Sequence, residues 1–291
     1  MKRFYIKLLL CCMACVQSNV DTCAQSTEDK EIKLIIRVDD MGCSHATNTG
    51  IMKTFDRGIA TSVEIMAPTP WYPEAIKMLQ EHPDIDVGLH LTLTSEWSNI
   101  KWRPLTPVPS LTDERGYFYP MIWENRRLPD GALTEHNWDI NEIEKEIRAQ
   151  IEMVKKDLPW LSHLSAHMGC MNIDEKTSAL FKQLAKEYNL DIIPEEMGVQ
   201  RFPSLGNNTL PTEQRVSAFI DALNALTPGT WLYVEHPADD YPEQQAIGHP
   251  GYEHVAQDRY AVMNLLVDQR VKAVIKDRGI KLVSYADLVK N

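Results

Sequence analysis

Basic residues are scarce in this 291-residue chain, which has 30 lysines and arginines against 41 aspartates and glutamates and a formal net charge of −11. We therefore expect no nucleic-acid partner, because such affinity depends mainly on cations that neutralise phosphates. Cysteine is also rare, at six residues, which excludes a disulfide-stabilised scaffold. The only apolar run that approaches membrane length lies at the N-terminus, so we expect no integral membrane span in the processed chain.

The first 24 residues have the order of a signal peptide. A basic segment with Lys2 and Arg3 precedes an apolar stretch over 6–16 that is too short to span a bilayer. Ala24 then offers a small residue for cleavage. We predict that residues 1–24 are removed; a buried N-terminal helix is the less favoured alternative.

Removal of this leader leaves residues 25–32 as a polar linker and 33–291 as one domain of an exported, periplasmic protein. Lipid anchoring at Cys15 is the second choice, because Cys12 stands where a lipidation motif prefers leucine.

Short β-prone runs alternate with longer helical stretches from Lys33 onward. The predicted strands are 33–38, 61–66, 85–93, 161–166, 190–194, 230–236 and 280–284. The predicted helices are 46–57, 73–81, 141–158, 174–188, 212–226, 255–278 and a last one at the C-terminus. This alternation is typical of a parallel sheet with helical crossovers, and we predict a single-domain α/β fold, a distorted (β/α) barrel of about seven parallel strands.

Residues 95–135 interrupt the alternation with five prolines and with the tryptophans Trp97, Trp102 and Trp123. So long an irregular segment in a compact domain is usually a functional loop or lid. A mobile surface insertion is the alternative, but it would not need so many aromatic residues.

Two neighbouring acids, Asp39 and Asp40, end the first predicted strand. Active sites of parallel α/β folds lie at the carboxyl ends of the strands. Two ionised carboxylates at the end of a buried strand are unfavourable without a partner, and a divalent cation would offset their charge. The alternative is a helix N-cap beside a solvated acid.

Histidines stand at the ends of other predicted strands. His90 shares one strand face with small and hydroxyl-bearing residues, which is unusual in a barrel interior, although a structural core histidine is the alternative. His167 ends the fourth strand, and its spacing from His163 lets only one of the two point to the centre. One carboxylate and two neutral imidazoles suit Zn²⁺ or a similar metal, so one of the two aspartates, His90 and one of the two fourth-strand histidines are predicted to converge on one ion.

His236 stands before Pro237 at the end of the sixth predicted strand. A histidine at that edge is well placed to act as a general acid, because its ordinary pKa lies near neutrality. A hydrogen-bonded loop histidine is the alternative. The remaining histidines lack a strand-end position and are predicted to lie on loops.

The same segments resemble the YdjC-like carbohydrate deacetylase family, which is related to the polysaccharide deacetylases. The resemblance covers nearly the whole mature chain and rests on VDDMGCSHATNTGI, TSVEIM, DVGLHLTLT, SHLSAH, VEHPADDY and GIKLVSYADL. It implies a (β/α) barrel-like domain with Asp40, His90 and His167 as ligands of one divalent ion, zinc or magnesium. It also implies Asp39 as the catalytic base and His236 as the acid.

The implied reaction is hydrolysis of an acetyl group from an N-acetylated amino sugar or oligosaccharide. The sequence leaves a homodimer open. Trp97, Trp102 and Trp123 would then either stack on sugar faces or pack within their own loop. Hydrolysis of another C–N bond or of a phosphoester is one alternative, which the lack of a local Arg/Lys cluster in the sequence weakens. A non-catalytic sugar-binding relative is the other.

The chain departs from the family pattern at the fourth strand, where Asp-Ser-His-x-His is usual and Ser165-Ala166-His167-Met168-Gly169 stands here. The acid before the metal-binding histidine and the second histidine after it are both absent. The resemblance therefore does not fix what orients His167, nor which sugar is bound.

Cys43 and Cys170 are the two cysteines outside the leader, and each follows a predicted ligand by three residues. A disulfide beside the site would suit an exported protein. We favour the alternative that both are small buried hydrophobic residues. Thiolate ligation of the metal is the least favoured.

Overall fold

The computed structural model of the chain describes residues 31–206 and 210–290, and the predicted leader with Cys15 lies outside them. The strands within these residues are β1 (Ile32–Met41), β2 (Ser62–Ile65), β3 (Asp86–Leu91), β4 (His163–Ala166), β5 (Gln200–Arg201), β6 (Gly229–Glu235) and β7 (Lys281–Leu282). The helices are α1 (His45–Asp56), α2 (Tyr72–Gln80), α3 (Ile140–Asp157), α4 (Glu175–Glu187), α5 (Thr212–Ala225), α6 (Pro242–Gln245), α7 (Val255–Val267) and α8 (Gln269–Asp277).

All of these strands pair in parallel in one sheet, in the order β4-β3-β2-β1-β6-β5, and β7 pairs with the start of β1. The sheet forms a half-barrel. It does not close, because no pairing among the described residues joins β4 to β5, the strands at its two ends. The α/β prediction and the distorted barrel are confirmed. Parallel order brings the carboxyl ends of β1, β3, β4 and β6 to one edge, where the predicted site residues stand.

Strand β1 is the centre of the domain. Leu34, Ile36 and Val38 are fully buried on one face and Ile35 on the other, which is the pattern expected for a strand covered on both sides. Helix α3 covers the sheet near β3 with an apolar stripe at 143, 147, 151 and 154, and each of these side chains is fully buried. The predicted periodicity of this helix is confirmed.

Three predicted elements differ from the structure, and one of them is the helix predicted at the C-terminus, where a single 3-10 turn over Ala286–Leu288 stands instead. The apolar run 190–194 is not a strand; the chain turns there, and the fifth strand is the short, exposed pair Gln200–Arg201. The predicted helix 255–278 is divided into α7 and α8 at Asp268, whose side chain accepts from the backbone N–H of Arg270 and so caps α8.

The irregular segment 95–135 is packed against α3 rather than mobile. Two buried or half-buried acids on α3 hold its backbone: Glu146 accepts from the N–H groups of Leu105 and Thr106, at 3.0 and 2.9 Å, and Glu142 accepts from that of Ser110 at 2.8 Å. Leu111, Phe118 and Ile122, which belong to the segment itself, are buried. These contacts fix a loop that has little regular structure of its own.

Both described cysteines are free thiols, and both are buried. The interpretation of Cys43 and Cys170 as small buried residues is confirmed, and the disulfide is not formed. The Cys170 thiol donates to the carbonyl of Leu91 at 3.1 Å, and burial raises its pKa to about 12. Among the described residues, no helix has the length and apolar content needed to cross a membrane.

Gly88 on β3 leaves room for a buried ion pair beside the sheet. Glu64 on β2 and His163 on β4 are both fully buried, and their Oε1 and Nε2 atoms are 2.5 Å apart. A Cβ on Gly88 would lie 2.6 Å from each carboxylate oxygen of Glu64, closer than side chains approach. The absence of a side chain at this position therefore allows the pair to cross β3.

We predict that Gly88→Ala destabilises the protein by about 1–3 kcal/mol, because it overpacks a rigid buried pair. Urea unfolding followed by circular dichroism measures the change in the free energy of unfolding. A change within about 0.5 kcal/mol, typical of an unconstrained surface site, would contradict this description.

Candidate metal and catalytic site

The end of β1 presents Asp39 and Asp40 in different directions. Asp40 has a φ of 72°, in the left-handed region that a non-glycine residue seldom adopts. The pairing of β1 with β2 shifts register between Val38 and Met41, at the same place. The backbone therefore turns between the two acids, and such local strain is often found at functional sites.

Asp40, His90 and His167 converge, as the sequence predicts. One potential ligand atom from each lies within 4.8 Å of the others, and all three residues are buried. Asp40 Oδ1 is 3.3 Å from His167 Nδ1 and 3.8 Å from His90 Nε2. This oxygen has almost no exposed surface and no hydrogen bond of good geometry, and the nearest ionisable group that faces it is the imidazole of His167. The residues present therefore fit a divalent ion.

The other oxygen of Asp40 accepts from Arg259 Nη2 at 2.6 Å. Burial by itself raises the pKa of Asp40, but the charges of Arg259, His236 and His167 outweigh it and hold that pKa well below its usual range. Asp40 is therefore ionised, and the oxygen that faces the histidines is available to a metal.

His90 is held from behind by Ser165, whose Oγ is 2.6 Å from His90 Nδ1. Burial and then the charge of His167 hold the pKa of His90 well below its usual range. His90 is therefore a neutral imidazole near neutral pH, the form that binds metals.

His167 has a carboxylate on each side of its ring. Its Nδ1 faces Asp40, and its Nε2 is 3.2 Å from Glu96 Oε2. Burial lowers the pKa of His167, but Glu96 and Asp40 outweigh burial and raise it to about 10. Glu96 is buried, and it gives His167 a carboxylate partner from the loop after β3.

Asp39 is bound by an arginine from its own strand. Arg37 Nε and Nη2 donate to the two oxygens of Asp39, each at 2.8 Å, and Arg37 Nη1 donates to the Tyr285 hydroxyl at 3.0 Å. Asp39 Oδ2 lies 3.7 Å from His90 Nε2, so this carboxylate borders the metal position. The bidentate pair fixes its orientation.

His236 follows the end of β6 and is half-buried. Val38 on β1 pairs with Glu235 on β6, so Asp39 and His236 follow these two residues at the same edge of the sheet. His163, in contrast, pairs with Glu64 and stacks on the ring of Tyr285 at 3.8 Å between centroids. It is the structural histidine of the two on the fourth strand.

The three tryptophans of segment 95–135 differ from one another. Trp97 and Trp102 are only 2% and 3% exposed, which leaves little surface for a sugar, whereas Trp123 is 48% exposed. Trp97 packs under the guanidinium of Arg259, with 5.1 Å from Cζ to its ring centroid. Trp102 Nε1 donates to the carbonyl of Thr94 at 2.7 Å. Both buried rings thus support the segment next to β3 and the site.

Sequence reasoning missed four charged residues around the site: Arg37, Glu64, Glu96 and Arg259. They lie on β1, on β2, in the loop after β3 and on α7, and three of them are joined to their partners only by the fold. The one signal that could have indicated Glu64 is its position as a single acid in an apolar strand, since a buried charge needs a partner.

A cavity of about 740 Å³ opens between β4 and β5, on the unpaired side of the half-barrel. Its lining includes Arg37, Ser165, Ala166 and Glu235, each of which is bonded to or adjacent in sequence to a predicted site residue. Aromatic residues, Phe181, Phe202 and Tyr233, contribute to its walls. It is large enough for a small organic molecule.

The family model described as YdjC-like protein matches residues 33–277. A carbohydrate deacetylase of Geobacillus stearothermophilus is 27% identical over 268 residues, covering 88% of this chain and 98% of that protein. A carbohydrate deacetylase of Thermus thermophilus is 32% identical over 238 residues, covering 74% and 80%. A crystal structure described as that of a cellobiose-phosphate cleavage protein of Enterococcus faecalis superposes with a TM-score of 0.68 at 25% identity, covering 89% of this chain and all of that one.

We predict that Glu96→Gln lowers the pKa of His167 below about 10 in the metal-free protein, because one of the two carboxylates that raise it is removed. NMR titration of the His167 ring measures this pKa. Glu74→Gln is the matched control, since Glu74 pairs with His45 at 2.8 Å and not with His167. An unchanged His167 pKa in Glu96→Gln would contradict the pairing.

Proposed function

The chain belongs to the YdjC-like protein family, and from this membership we propose that it is a metal-dependent hydrolase that removes acetyl groups from N-acetylated amino sugars or oligosaccharides. Relatives that match over nearly their full length are named carbohydrate deacetylases. The observation that carries the proposal is the convergence of one buried carboxylate oxygen and two buried imidazoles, whose potential ligand atoms lie within 4.8 Å of one another. One carboxylate and two imidazoles are a ligand set typical of hydrolytic metal centres.

Asp40, His90 and His167 would hold the ion. One carboxylate and two imidazoles are a ligand set that suits zinc, while magnesium prefers sites made of oxygen atoms, so zinc is the first choice of the two. When bound, the ion would polarise the acetyl carbonyl and lower the pKa of a water molecule at its open positions.

Asp39 is the proposed general base. Its carboxylate borders the metal position, with Oδ2 3.7 Å from His90 Nε2, and Arg37 holds both oxygens so that the group cannot rotate away. From there it would accept the proton of the attacking water. Asp40 and Asp39 thus have different partners, Arg259 and Arg37, which suits different roles.

His236 is the proposed general acid. It lies across the edge of the sheet from β3 and β4, at the end of β6, and part of its surface is open to solvent. A protonated imidazole there would donate to the sugar nitrogen as the C–N bond breaks, so that the amine leaves as a neutral group.

The cavity between β4 and β5 is the proposed position for the body of the sugar, because it opens beside Arg37 and Ser165. Its aromatic walls could pack against the apolar face of a sugar ring. Export to the periplasm remains part of the proposal, and it rests on the N-terminal sequence alone.

Two buried arginines that the sequence did not indicate lie at the site, and a free arginine there would favour a phosphoester substrate. Arg37 and Arg259 lie at the site, but each is paired with one of the aspartates at 2.8 or 2.6 Å. Their charge is already balanced by these carboxylates, so neither of these two arginines is free to bind a phosphate. Amide hydrolysis remains the preferred chemistry.

Acetate release from a panel of N-acetylated sugars, with and without a chelator, tests this function. We predict release that a chelator abolishes and that added Zn²⁺ restores, because the ion supplies the activated water. An acetyl-ester panel and a phosphodiester panel are the controls for other bonds. No release from any sugar by the zinc-loaded protein would contradict the proposal.

We predict that Asp39→Asn retains zinc binding but lowers kcat by about 100-fold or more, the usual effect of losing a general base. His236→Ala is expected to lower kcat in the same way, with a larger loss for sugars whose amine is a poorer leaving group. Asp56→Asn, at the exposed end of α1, is the control and should leave kcat unchanged. A kcat near wild type in either site variant would remove that residue from the mechanism.

A further inference from the structure

A chain of hydrogen bonds leads from His90 away from the metal position. His90 Nδ1 is 2.6 Å from Ser165 Oγ, and Ser165 Oγ donates to Glu64 Oε2 at 2.5 Å. These groups lie on three neighbouring strands, β3, β4 and β2, and all three residues are buried. The order of donors and acceptors along this chain decides which nitrogen of His90 carries its proton.

An ionised carboxylate can only accept hydrogen bonds, so the single proton of the Ser165 hydroxyl is committed to Glu64. Ser165 then has only lone pairs to offer to His90, and His90 Nδ1 must be the donor. In a neutral imidazole the other nitrogen, Nε2, then has a free lone pair. That nitrogen faces Asp40 Oδ1 at 3.8 Å, where the ion would bind.

We propose that Ser165 and Glu64 are positioning residues that hold His90 in its metal-binding tautomer. The proposal rests on the proposed function, since it concerns the same metal centre. The carboxylate that the family pattern carries on the fourth strand is absent here, and Glu64 supplies one from β2 through the Ser165 hydroxyl.

Glu64 is itself held in place and in its charged form. His163 Nε2 is 2.5 Å from its Oε1, and Arg37 Nε is 4.0 Å from the same oxygen. Burial raises the pKa of Glu64, but His163 and Arg37 outweigh it, and the net effect lowers that pKa. Without a carboxylate at this position the Ser165 hydroxyl could rotate and donate to His90 Nδ1, and the proton would move to Nε2, into the metal position.

Ser165→Ala is the most direct test, because it leaves the Glu64–His163 pair intact and removes only the link to His90. Ser178→Ala is the matched control: Ser178 also borders the cavity, but its Oγ donates only to the backbone carbonyls of Met171 and Asp174, at 3.3 and 3.0 Å. We expect Ser165→Ala to weaken zinc affinity about 10- to 100-fold, the usual effect of losing a group behind a metal-binding histidine, and Ser178→Ala to leave it unchanged. Competition with a chromophoric chelator measures this affinity without reference to activity.

A rescue experiment distinguishes the loss of this chain of hydrogen bonds from a general loss of packing. The double variant is Glu64→Gln/Ser165→Asp. Its carboxylate, at position 165, can accept directly from His90 Nδ1. Its amide, at position 64, can donate to that carboxylate and accept from His163. Ser165 borders the cavity, which gives the larger side chain room. We expect the double variant to recover most of the zinc affinity that Ser165→Ala loses.

The tautomer can be read from the ¹⁵N chemical shifts of His90 in the metal-free protein. A proton on Nδ1 in the wild type is expected, with loss of that preference in Ser165→Ala. A proton on Nε2 in the wild type, or equal zinc affinity in Ser165→Ala and the wild type, would overturn the proposal. If the wild type binds no zinc but His90 is protonated on Nδ1, the role of Ser165 and Glu64 in setting the tautomer is supported and the proposed metal function is contradicted.

Discussion

Everything at the site depends on how the negative charge of Asp40 is accommodated at the end of a buried strand. This carboxylate is 1% exposed, and a buried ion is costly unless it is paired. Arg259 satisfies one oxygen, and the other is left facing two imidazoles. The left-handed backbone at Asp40 directs it there and leaves Asp39 to Arg37. Each of the two adjacent acids therefore has an arginine of its own.

A second set of buried charges extends behind the first. Glu64 links β2 to His163 on β4, and through Ser165 it reaches His90 on β3, in the space that Gly88 leaves open. Rigid backing of this kind restricts the orientation and tautomer of a ligand before any ion binds. The structure thereby compensates for the small residues of its fourth strand with acids that come from other strands and loops.

Much of the fold and the positions of Asp40, His90 and His167 could be predicted from the sequence, because parallel strands place their last residues at one edge. Arg259 and Glu96 could not, since a helix 219 residues after Asp40 and an irregular loop bring them to the site. The fifth strand was missed for a local reason: Gln200 and Arg201 are polar and exposed, and only their pairing with β6 makes them a strand. The burial of Trp97 and Trp102 depends likewise on packing that composition does not reveal.

The central claim is that one ion binds between Asp40, His90 and His167 and gives the site its chemistry. A crystal structure of the zinc-loaded protein, with anomalous data collected on both sides of the zinc absorption edge, tests it most directly. The account predicts one strong anomalous peak about 2.0–2.2 Å from an oxygen of Asp40 and from one nitrogen of each histidine, Nε2 of His90 and Nδ1 of His167. A peak bound by other residues, or none at this site in zinc-saturated crystals, would contradict it.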